Sequence, residues 1–102
     1  MKSVLTCSVN GNQVQCNWTF DNLNSGEVVK WTFLQKTPKP KDKGKKKYFW
    51  AIVKSWWQEN WTPDITHFVD ENIPSGAYLY RVIHILTNGD EISSNIVTVT
   101  IN

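Results

Sequence analysis

Two cysteines, two histidines and one methionine are a thin supply of soft or metal-ligating side chains for 102 residues. Cys7 and Cys16, with no histidine at ligand spacing, fall short of the four ligands of a structural zinc site, so no metal is expected. His67 and His84 each lack a Cys, Asp or second His at ligand spacing, which makes them packed or surface imidazoles rather than catalysts. There is no glycine-rich phosphate loop ending in Gly-Lys, no Gly-x-Ser-x-Gly elbow and no His-Glu-x-x-His. Asp64, Asp70, Glu71, Asp90 and Glu91 fall in loops or at strand ends, where carboxylates turn the chain or face solvent. With no convergent titratable groups, the chain is read as non-enzymatic and without a cofactor. No apolar run approaches the roughly 20 residues that span a membrane. A net charge of +2 is too small to draw nucleic acid. Met1-Lys2-Ser3 leads straight into strand-like alternation, so a secreted form is expected to have shed its leader before this point.

What the chain has is alternation and aromatic residues. Its length suits one domain, spanning residues 1–102, with one core. Leu5, Cys7 and Val9 alternate with polar neighbours, as do Val14, Cys16, Trp18 and Phe20 beyond the turn at Asn10-Gly11-Asn12. A hairpin turning on Gly11-Asn12 sets Val9 opposite Val14 and Cys7 opposite Cys16, all on the inner face. The two cysteines then touch, either as a disulfide implying an oxidising compartment or as free thiols serving as small buried hydrophobes.

Glu27 to Lys36 reads as a third strand, with Val29, Trp31 and Phe33 on one face and Val28, Thr32 and Leu34 on the other. Residues 37–47, TPKPKDKGKKK, cannot support an ordered core and form an exposed loop. Its lysines are either solvated or a weak contact for anions. Tyr48 to Val53 is a fourth strand, apolar throughout. The segment after it holds three tryptophans, Trp56, Trp57 and Trp61. Neighbours in an extended chain point to opposite sides, so one of Trp56 and Trp57 is expected to be exposed. Ile65 to Asp70 is a short fifth strand. Asn72-Ile-Pro-Ser-Gly76 turns the chain into a long strand reaching Leu86, Asn88-Gly89-Asp90 turns it back, and Ile96 to Ile101 closes the hairpin.

That closing hairpin resembles the last two strands of a fibronectin type III domain. The matching residues are Phe68 and Asp70, Ile73, Gly76, the Tyr78-x-Tyr80-Arg81-Val82 run, Gly89, Ser94-Asn95 and Val97-x-Val99, with Trp18 as the core tryptophan of an early strand. The resemblance implies an all-β fold, a seven-stranded antiparallel β-sandwich of the fibronectin type III or immunoglobulin-like kind. It also implies that Tyr80 is the corner tyrosine whose hydroxyl bonds back to the backbone before its strand. Cys7 with Cys16-Asn17-Trp18 further resembles the first disulfide of the amino-terminal domain of class I cytokine receptors, whose second cysteine pair is missing here.

If Tyr80 and Val82 face inward, Leu79, Ile83 and Ile85 face outward, and the family topology adds Val28 and Leu34 to that sheet. Such a patch suggests an interface or self-association. The topology also brings the loops 54–63, 21–26 and 88–91 to one end, where Trp56, Trp57 and Trp61 become rigid anchors for a partner. The competing role for those tryptophans is to fold back and plug the sandwich. Asn17 and Asn60 each begin an Asn-Trp-Thr sequon, which permits glycosylation on a secretory route. The expectation is an extracellular, secreted or cell-surface module that binds a protein, cytokine- or receptor-like by resemblance. The alternative is a carbohydrate-binding or spacer module of a polysaccharide-degrading enzyme or surface protein, with tryptophans stacking on sugar rings. Fold alone does not choose between them.

Overall fold

The structure is a computed structural model describing residues 2–21, 29–39, 50–57 and 66–102. Every regular element among these is a β-strand: β1 (Lys2–Asn10), β2 (Gln13–Asp21), β3 (Val29–Pro38), β4 (Ala51–Trp57), β5 (His67–Asp70), β6 (Gly76–Leu86), β7 (Glu91–Ser93) and β8 (Val97–Ile101). They form two antiparallel sheets, one ordered β1-β2-β5 and the other β4-β3-β6, with β7 and β8 both pairing β6 on its far side. Seven strands become eight because the last one is interrupted. The register against β6 shifts by one residue between β7 and β8, and Ser94 fills the gap by bonding the Val82 backbone through both its N–H and its hydroxyl oxygen.

The first hairpin forms as its alternation demands. Gly11 turns it at φ 63°, a conformation a side chain would strain, and the register sets Val9 opposite Val14 and Cys7 opposite Cys16. Val14, Cys16 and Trp18 are buried while Gln15, Asn17 and Thr19 are exposed. The cysteines do meet, but as free thiols with sulfurs 3.8 Å apart, well beyond the roughly 2.05 Å of a disulfide. Of the two readings of the pair, the structure carries the free thiols, and the disulfide is not shown.

Leu5, Val14, Trp18, Leu34, Tyr80, Val82, Val99 and Ile101 make the core between the sheets, and Ile73 closes it from the connection before β6. Leu34 thus faces inward beside Val82, and the outward face of β3 carries Trp31 and Phe33. The reverse assignment placed Leu34 with the outward residues of β6. Direct pairing of Leu34 with Val82 and of Phe33 with Ile83 fixes the parity, because paired residues share a face. Val28 and the lysine-rich residues 40–47 lie outside the described residues.

Three polar links cross the sandwich. The Asp70 carboxylate on β5 accepts the Tyr80 hydroxyl at 2.7 Å and holds the Lys36 ammonium at 2.9 Å, so Asp70 is neither a turn former nor fully solvated. The His84 ring meets Thr32 Oγ1 at 2.9 Å and Ser3 Oγ at 3.1 Å, joining β6 and β3 to β1. The Asn95 side chain accepts from the Leu5 N–H at 2.8 Å and donates to the Leu5 carbonyl at 3.0 Å, which is how a neighbouring strand would pair.

The corner tyrosine is Tyr78, not Tyr80. Tyr78 donates to the Pro74 carbonyl, four residues back, at 2.8 Å. Tyr78 and Tyr80 share a face, but only Tyr78 lies near enough to the turn for its hydroxyl to reach back. Tyr80, two residues deeper, is fully buried, and burial together with the Asp70 bond pushes its phenol up from the ordinary tyrosine value.

Candidate functional site: the outer face of the five-stranded sheet

Trp56 and Trp57 end a seven-residue strand instead of starting a loop, so β4 runs further than the apolar run Tyr48 to Val53 suggested. Alternation then sends them to opposite faces, as neighbours in an extended chain require. Trp56 turns inward, its ring 5.5 Å from that of Trp18 and 6.0 Å from that of Phe68. Trp57 turns outward and stays 49% exposed.

Outward-facing residues of three strands share the face that Trp57 occupies. On β3 these are Trp31, Phe33 and Gln35; on β6 they are Ile85, Ile83 and Arg81, their cross-strand partners. Trp31 is paired with Trp57, their ring centres 3.3 Å apart, and Phe33 follows at 4.5 Å from Trp31. A register shift between Leu34 and Gln35 brings Ile52 opposite Gln35, where it is 56% exposed. The result is an aromatic band along β3 with apolar residues on either side.

A cation closes one end of the band. Arg81 donates its Nε–H to Gln35 Oε1 at 2.7 Å and lies 4.1 Å above the Trp50 ring centre. Those contacts orient the guanidinium and leave its terminal nitrogens for another acceptor. Partial burial pulls Arg81 down from the usual arginine value, with Glu91 acting in the opposite sense. At the other end, the Trp31 Nε1–H is buried without an acceptor, the one such side-chain polar atom among the described residues. Leaving a buried donor unpaired costs about 1–3 kcal/mol.

The expected site residues therefore separate. Trp57 and the half-buried Ile85 belong to the outer face. Leu79 and Ile83 lie on that face too but are 7% and 5% exposed, so they do not form a free apolar patch. Trp56 is packed into the core. Trp61, Asn60 and Asp64 lie outside the described residues, as do most of the loops 21–26 and 54–63. Asn17 is exposed on β2. Trp31, Phe33, Trp50, Arg81 and Ile52 were not singled out by the sequence reading. The signal was present in the equal spacing of Trp31 and Phe33 on one strand and Ile83 and Ile85 on another, but register was needed to put them together.

Among the described residues no three of His, Cys, Asp and Glu gather where they could hold a metal ion. No described helix is long and apolar enough to cross a membrane. His84 is buried and neutral, burial lowering it to about 4, while His67 is exposed on β5.

No protein-family model matches this chain, and no curated protein matches it. Solved structures do. Pectate lyase PelI from Erwinia chrysanthemi, solved in complex with tetragalacturonic acid, superposes over 96% of this chain with a TM-score of 0.70 and 18% identity. Pectate lyase Pel3 from Pectobacterium carotovorum covers 100% with a TM-score of 0.66 and 14% identity. This chain spans only 28% and 27% of those two chains. The sixth fibronectin type III domain of human fibronectin type III domain containing protein 3 superposes over 96% of this chain and 80% of its own, with a TM-score of 0.64 and 17% identity. At these identities the likeness concerns architecture, and the architecture is a fibronectin type III-like β-sandwich.

Proposed function

We propose that this chain is a non-enzymatic, extracellular binding module that recognises a protein partner through the outer face of its five-stranded sheet. The observation that carries the reading is the stack of half-exposed Trp57 on Trp31, whose indole N–H is buried without an acceptor. Tryptophan and arginine dominate the energetics of protein interfaces, and here both types sit on one face around a band of supporting apolar residues. Arg81, held by Gln35 and Trp50 with its terminal nitrogens available, fits a carboxylate on the partner. A second copy of this chain is one partner that sedimentation at rising concentration measures directly.

Selection of a displayed random-peptide library against the immobilised chain tests the reading. Binders should lose affinity for Trp57→Ala and Arg81→Ala and keep it for Val69→Ser, which alters an exposed residue on the other sheet. Binders indifferent to Trp57 and Arg81 would remove this face from consideration. Titration with tetragalacturonate, followed by tryptophan fluorescence, distinguishes the competing class of ligand. Saturable binding abolished by Trp57→Ala, with no peptide binders, would transfer the face to carbohydrate.

A further inference from the structure

Cys7 and Cys16 are opposed residue for residue across β1 and β2, and both point into the sandwich. Opposed residues of an antiparallel pair have Cα atoms about 4.5 or 5.5 Å apart, and either spacing lies within the range a disulfide spans. With the sulfurs at 3.8 Å, closing to the covalent distance of roughly 2.05 Å asks for side-chain movement only. The two thiols differ in access. β1 is an edge strand of its sheet and Cys7 is half-buried; β2 is the middle strand and Cys16 is 0% exposed, with Phe68 opposite it on β5.

We infer that the pair is a site of ordered thiol–disulfide exchange, in which Cys7 reacts first with a low-molecular-weight disulfide and Cys16 resolves the adduct. In the first step the Cys7 thiolate attacks one sulfur of the disulfide RSSR. The S–S bond breaks, RS⁻ leaves, and it takes up the proton Cys7 released. In the second step Cys16 gives up its proton and attacks the Cys7 sulfur; the mixed disulfide breaks, a second RS⁻ leaves, and it takes up the proton Cys16 released. Protein dithiol plus RSSR thus gives protein disulfide plus two RSH: the protein is oxidised by two electrons and the small disulfide reduced by two.

The electrostatics run the same way. The hydrogen bond between the thiols lowers Cys7, against a burial effect that raises it, and the same bond, with burial, pushes Cys16 up. The thiolate therefore forms first on the sulfur that a small disulfide can reach. Cys16 acts second, against a sulfur already in contact with it.

Glutathione disulfide is the probe. Added to the reduced protein at mildly alkaline pH, it should yield a product lighter than the starting protein by two hydrogens. Peptide mapping of quenched early samples should place the transient adduct on Cys7 alone. Cys16→Ser should stop at one stable glutathione adduct, and Cys7→Ser should react at least tenfold more slowly. The closed form should melt about 10 °C higher, as expected for a closed loop of this length in a domain of this size. A transient adduct on Cys16, or a wild-type adduct that persists without closing, would overturn the ordered exchange. The mapping uses wild-type protein, so it stands even if a serine variant does not fold.

Discussion

The Tyr80 hydroxyl and the Asp70 carboxylate meet at 2.7 Å across the sandwich, and the same carboxylate oxygen holds Lys36 at 2.9 Å. One oxygen on the three-stranded sheet thereby ties down two strands of the other. Tyr80→Phe should cost about 1.5–3 kcal/mol, the value of a hydrogen bond to a charged partner, because the part-buried Asp70 carboxylate loses the donor it had while the ring still fills the core. Urea unfolding of Tyr80→Phe, Asp70→Asn and the double variant checks this. The two substitutions should be strongly non-additive, and simple additivity would mean the contact contributes nothing.

His84 makes stability depend on pH in a definite direction. Burial lowers its folded value to about 4, below the ordinary histidine value, so the unfolded chain binds the proton more readily. The stabilisation is complete above about pH 6.5 and is lost as pH falls toward 4, reaching about 3 kcal/mol at the acid end. Unfolding midpoints across that range should fall for the wild type and flatten for His84→Gln. The glutamine retains groups able to bond Thr32 and Ser3 without the titration.

Asn95 is exposed, yet its side chain makes both of the hydrogen bonds that a neighbouring strand would give Leu5. Asn95→Ala should cost about 1–3 kcal/mol, more than the half a kcal/mol or less typical of surface substitutions. Asn95→Asp should be worse, since it sets a carboxylate against the Leu5 carbonyl. Hydrogen exchange at the Leu5 amide reads the loss directly, with faster exchange in both variants.

The first hairpin was legible to the residue because alternation and a turn glycine fix a local register. The two sheets and their core were legible from aromatic and β-branched runs. The candidate face was not, because it is assembled by pairing β3 with β4 on one side and β6 on the other, and a one-residue difference in parity moves Leu34 from one face to the other. β4 extended its apolar run through Lys54 and Ser55 to Trp57, a continuation whose composition looked like a loop. Tyr78 and Tyr80 are two apart on one strand and share a face, so spacing alone could not say which hydroxyl reaches back to Pro74 and which crosses to Asp70.

Trp18, Trp56 and Trp57 should separate by cost. Trp18 is 1% exposed at the centre of the core, and its replacement by alanine should cost about 3–5 kcal/mol. Trp56 packs on Trp18 and Phe68 from the end of β4, so Trp56→Ala should cost roughly 3 kcal/mol. Trp57 behaves differently. Its ring is half in solvent and stacks on Trp31, so its removal is expected to admit water to the Trp31 N–H, which has no acceptor among the described residues. The lost stacking is partly offset by that rehydration, so Trp57→Ala should cost less than about 1 kcal/mol. Thermal and urea unfolding of the three alanine variants measures the series. A loss at Trp57 as large as that at Trp18 would make the outer stack a second core and withdraw the argument that it is held for a partner.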